Sequence, residues 1–92
     1  MAKIYKHEIP VDDKWHGVPM SGSVLHVGSQ QTSKVHIWAL HDDTSDVMQD
    51  FMVIGTGHEI PEGARYVGST TDFGGYFVWH LLTRGVSAAE QA

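Results

Sequence analysis

The chain has 92 residues, eleven acidic against six basic side chains, a formal charge of −5 and no cysteine. That length suits one domain, which would bury about 60–65% of the surface of its unfolded chain. The absence of cysteine excludes a disulfide framework and a thiolate zinc site. The scattered basic residues (Lys3, Lys6, Lys14, Lys34, Arg65 and Arg84) give no cluster able to neutralise several phosphates, which argues against nucleic-acid binding.

Short apolar runs rich in β-branched and aromatic residues alternate with Gly, Pro, Asp and Ser, the pattern of strands and turns. The first predicted strand runs from Lys3 to Ile9 and ends at Pro10. Val11 to Gly17 reads as a loop or a short irregular strand, and Pro19 to Ser23 as a turn. Val24 to Val27 is the second strand, and Gln30 to Ser33 a polar hairpin connection. Lys34 to His41 is the third, with Val35, Ile37 and Ala39 on one face and His36, Trp38 and Leu40 on the other. Both faces are largely apolar, so this strand is placed centrally.

After the acidic turn Asp42 to Asp46, Val47 to Ile54 is the fourth strand, with Phe51 and Val53 on one face and Met52 and Ile54 on the other. A helix starting at Val47 and capped by Ser45 or Asp46 is the weaker reading, because the apolar run continues through Ile54. Gly55 to His58 breaks the strand and Pro61 to Gly63 turns. Ala64 to Thr70 is the fifth strand, Asp72 to Gly75 a hairpin loop, and Tyr76 to Leu82 a central sixth. The expected fold is all-β: a small sandwich or barrel of about six antiparallel strands, one domain over residues 1–85 with a flexible tail at 86–92. Val27-Gly28-Ser29 and Val67-Gly68-Ser69, each followed by a Trp-bearing strand, also fit two β-β-β halves with those strands paired at the centre.

Chemistry-bearing residues are sparse. Gly55-Thr56-Gly57-His58 is the most distinctive group. Its glycines can turn backbone N–H groups toward an anion, and His58 can bind or move a proton near neutral pH. No Gly-Lys-Ser/Thr follows, so it is not a phosphate P-loop, and a turn closing a strand is the simpler reading. Of the seven histidines, His36 and His80 on the two central strands are the candidates for neighbours, but no metal-ligand spacing is present. The Asp42–Asp50 stretch lacks the spacing of a calcium loop. No nucleophile elbow is present. Trp15 and Phe73 lie in polar loops, and each is either folded over the core or offered to a partner as an interface anchor.

The opening Lys3-Ile4-Tyr5-Lys6, the strand Ile37-Trp38-Ala39-Leu40, the segment Gly55-Thr56-Gly57-His58-Glu59-Ile60-Pro61 and the closing Phe77-Val78-Trp79-His80-Leu81 resemble a family of small uncharacterised phage and bacterial proteins. The resemblance implies an accessory protein of phage or bacterial origin and no assigned activity. The expectation is a non-enzymatic binding module, without cofactor or metal. It would act in the bacterial cytoplasm on a host protein or on itself as a homodimer, and on neither nucleic acid nor membrane. Trp15 and Phe73 would form its interface. The alternative is a nucleotide- or anion-binding protein, or a hydrolase, centred on Gly55, Thr56, Gly57 and His58.

Overall fold

A computed structural model describes residues 1–86. The expected flexible tail lies, but for residue 86, outside the described residues. Seven strands form: β1 (Ala2–Pro10), β2 (His16–Pro19), β3 (Val24–Gln31), β4 (Lys34–Asp42), β5 (Met48–Gly55), β6 (Arg65–Thr71) and β7 (Val78–Val86). They make two antiparallel sheets, β1-β4-β3 and β2-β5-β7-β6. The sheets pack face to face as an open sandwich, and no helix is present among the described residues.

The inner faces supply one core. Ile9, Val35, Ile37 and Ala39 come from the three-stranded sheet; Val18, Phe51, Val53 and Leu81 come from the four-stranded one. The face assignments made for β4 and β5 hold, since Val35, Ile37 and Ala39 enter this core together with Phe51 and Val53. Met52, Ile54 and Leu82 point the other way and form a second cluster on the outer face, covered by Trp15 and Ala64.

Three strands differ from expectation by more than one residue. The short β2 has the residue pattern of loop and turn, because Val18 is the one aliphatic residue beside His16, Gly17 and Pro19, and it alone of the four is buried. As an edge strand it tolerates Pro19, which has no N–H to give the ladder. The strand β3 runs on to Gln31 through two register shifts, which hide its continuation from any alternation rule. The last strand runs from Val78 to Val86 rather than from Tyr76 to Leu82. Asp72 closes the preceding loop by accepting the Gly75 N–H on its carbonyl (2.7 Å) and donating its own N–H to the Phe77 carbonyl (2.6 Å).

The Trp-bearing strands β4 and β7 are each central, as expected, but they sit in different sheets rather than side by side. What repeats is topology. In β1, β3, β4 and again in β5, β6, β7, the third strand lies between the first two. The Val-Gly-Ser echo falls on corresponding strands at different registers, with Gly28 opposite His36 and Gly68 opposite Leu81.

Two ties join the sheets. The Asp72 carboxylate, buried at the base of the β6–β7 loop, accepts the Trp79 indole N–H (2.9 Å) and the backbone N–H of Ser33 in the β3–β4 turn (3.1 Å). These donors hold its pKa below the usual carboxylate value, the indole contributing most. At the other tie, the segment after β2 crosses between sheets. The Met20 N–H reaches the Val47 carbonyl, the Gly22 N–H reaches the Leu40 carbonyl, and the Gln49 side chain donates to the carbonyls of Met20 and Gly22. A Cβ at position 22 would lie 2.7 Å from Leu40 Cβ and 3.1 Å from its carbonyl oxygen.

Gly22→Ala should therefore cost about 1–3 kcal/mol, the range for overpacking a rigid contact, seen as a lower midpoint in urea with an unchanged slope. Acid should destabilise in two stages. Burial, and then the neighbouring His41, lower the pKa of His7, whose Nε2 is enclosed without a partner. The unfolded chain then takes up a proton near pH 6.5 that the folded chain resists, so stability falls as pH drops through that value. Asp72 adds a second loss as pH falls below 3.8, where the unfolded carboxylate protonates first. Thermal melts between pH 7.5 and 5.5 check the first stage, and His7→Leu should flatten it.

Candidate functional site

The outer face of β5 and β7 cannot stay bare, because Met52, Ile54 and Leu82 stand on it. Two loops cover it. In the loop before β2, Asp12 accepts the Lys14 N–H (3.0 Å) and meets His16 Nε2 (2.9 Å), a local turn that lays Trp15 back over the sheet. Arg84, paired through Nε with the buried carboxylate of Asp50 (2.7 Å), stacks on the Trp15 ring at 4.6 Å. The other covering loop leaves the end of β5 through Gly55-Thr56-Gly57-His58. It is tied to the first through His58 Nδ1 and the Asp13 carboxylate, 3.0 Å apart.

The glycines of that loop have structural reasons. A Cβ at Gly55 would lie 3.3 Å from the Trp79 ring and 3.4 Å from His58 Nε2. Gly57 adopts φ +92°, which L side chains rarely adopt. Thr56 leaves the strand with its hydroxyl 2.9 Å from His80 Nε2, and the other ring nitrogen of His80 lies 2.7 Å from the Tyr66 hydroxyl. Strand pairing makes this line of three possible: His80 faces Ile54 across the β5–β7 ladder, and Tyr66 faces Leu82 across β6–β7.

A hollow lies on each side of the loop. One, of about 200 Å³, is floored by Ile54 and Leu82 and walled by Gly57, Ile60, Tyr66 and His80. The other, of about 510 Å³, lies between Thr56, His58 and the aromatic run Tyr76, Phe77, Val78, Trp79. Phe77 stacks on Trp79 with ring centres 5.7 Å apart. Gly55, Thr56 and His58 line both hollows, and Gly57 lines the smaller. All four loop residues singled out from the sequence thus border a concavity.

Of the two aromatics singled out as interface anchors, Phe73 is exposed at the β6–β7 loop, whereas Trp15 is half-buried against the outer cluster. Sequence reading set His80 beside His36 rather than beside this loop, and missed Tyr66 as a site residue and Tyr76 and Phe77 as surface aromatics. His80 and Tyr66 join the loop only through strand pairing, which no local motif signals. Tyr76 and Phe77 were assigned to a buried strand.

The histidines elsewhere are used locally. His36 and His80 are not neighbours: they lie on different sheets and face outward on either side of the core. His36 Nδ1 accepts the Gln30 N–H and His41 Nδ1 the Ser21 N–H, both at 3.1 Å. Among the described residues, no three His, Asp or Glu side chains gather to hold a metal ion.

No helix of the described residues is long and apolar enough to cross a membrane. No curated protein and no solved structure matches this chain. The family model of a domain of unknown function, DUF7352, matches residues 1–92, and the chain belongs to that family.

Proposed function

We propose that this protein is a non-enzymatic binding module that holds a protein partner through the β6–β7 loop and the groove beside it. The observation that carries this reading is the exposure of neighbouring aromatics on an ordered loop: Phe73 is 65% exposed, Tyr76 87% and Phe77 60%. Apolar rings held in water by a hydrogen-bonded loop are the side chains that supply most of the binding energy at protein interfaces. The loop is held by the buried Asp72, so little ordering is left to be done on binding. The partner would be a host protein, or a second copy of the chain, in the bacterial cytoplasm, and the setting that of a phage or bacterial accessory protein. The sequence resemblance supports that setting.

The reading of the Gly55–His58 loop as an anion or nucleotide site, or as a hydrolase centre, has thinner support. Asp13 sits against His58, and Glu59 and Glu62 follow in the same loop, so the local charge opposes an anion.

Replacing Phe73, Tyr76 and Phe77 together by Ser tests the proposal. These side chains are exposed, so the melting temperature should change little. The variant should lose the partner recovered by affinity capture with wild-type protein, confirmed with purified components, or lose wild-type self-association in analytical ultracentrifugation. Identical capture and identical sedimentation for variant and wild type would refute it.

A further inference from the structure

The smaller hollow, on the far side of the loop from the aromatic groove, has its own chemistry. We propose that it is a binding site for a small uncharged molecule, a single ring or short chain in body, carrying one hydroxyl-type group that can donate or accept. Its body size follows from the volume. An apolar cavity of about 150 Å³ suffices for benzene, so about 200 Å³ admits one ring with a substituent. Its apolar character follows from the floor of Ile54 and Leu82 and the Ile60 wall.

The head group follows from the line Thr56–His80–Tyr66 along one side. A neutral imidazole has one donating and one accepting nitrogen. If Nε2–H donates to Thr56, the Thr56 proton is free to donate onward, and Tyr66 gives its proton to Nδ1 and keeps free lone pairs. In the other tautomer the two hydroxyls exchange these roles. Either way the line presents one outward donor and one outward acceptor, with 2.9 Å and 2.7 Å links holding them in place. The two ends sit on opposite ring nitrogens, so one ligand oxygen reaches only one of them; a hydroxyl there accepts from it in one tautomer and donates to it in the other. A carboxylate only accepts, and it would meet no Lys or Arg among the lining residues.

Phenol, toluene and benzoate titrated into ¹⁵N-labelled protein, followed by amide chemical shifts, test the proposal. The three probes share one ring and differ in head group. Phenol should move the amides of Ile54–Ile60, Tyr66 and His80, and bind about fivefold more tightly than toluene, the worth of one neutral hydrogen bond. Benzoate should bind more weakly than phenol. The double variant Thr56→Val, Tyr66→Phe keeps the shape and should bring phenol down to toluene. Equal binding of phenol and toluene to wild type, benzoate ahead of phenol, or no shift at these amides with phenol up to roughly 20 mM would overturn the proposal. The wild-type comparison decides the matter even if the double variant does not fold. The serine triple variant of the aromatic loop should still bind phenol, which separates this site from the protein-binding surface.

Discussion

A strand with large apolar side chains on both faces has to be covered twice. That constraint falls on β5, where Phe51 and Val53 face the three-stranded sheet and Met52 and Ile54 face the opposite way. A three-stranded sheet can cover only one side. The other must be closed by whatever chain is left over, which here is loop. Loops close a surface less completely than a sheet does, because their backbone groups must still find partners or water. The outer cover is accordingly patchy: Trp15 and Ala64 seal one part, and the segment from Thr56 to Ile60 arches over the rest without filling it. The hollow beside His80 is a consequence of that incomplete cover.

The same constraint explains where charge is buried. Asp50 lies on β5 at the edge of the outer cluster, almost without exposure, and an unpaired carboxylate there would be costly. Arg84 neutralises it and places its flat guanidinium on Trp15, so one cation both pairs with the acid and roofs the cluster. On the inner side Asp72 plays a comparable part with neutral donors. It takes an indole N–H from its own sheet and a backbone N–H from the other, so the β3–β4 turn and the β6–β7 loop are held at one point. The aromatic loop is thus anchored at its base and free at its tip.

Much of this architecture was legible from residue order. The two-sided apolar pattern of β4 and β7 identified two strands that are each flanked by neighbours on both sides, because full burial on both faces leaves no room for polar alternation; β5 carries the same pattern and is flanked in the same way. Short, edge and irregular elements were not legible. Four residues of β2 containing Gly and Pro look like a loop until β5 is there to pair with them. The β3 strand changes register twice, so its face pattern breaks where its hydrogen bonding does not. Of the site, the glycine loop could be picked out because two glycines flank Thr56 beside a histidine able to bind or move a proton. The partners it acquires, Tyr66 and His80, are fixed by the pairing of β5 and β6 with β7, a long-range property that a reading of local pattern does not contain.

The glycine loop also shows why structural and binding readings of one motif need not compete. A Cβ at Gly55 would press on the Trp79 ring and touch the His58 imidazole, and the backbone of Gly57 takes a left-handed turn. Neither requirement refers to a ligand. Yet a loop with glycine at two positions of three stands as a thin wall rather than a filled one, with open space around Gly57 and a hollow on either side. Thr56, between the two glycines, lines both hollows and makes its hydroxyl contact with His80 only because the chain has left the ladder at that point. The residues that let the strand end are therefore the ones that create a surface on which something else can be held.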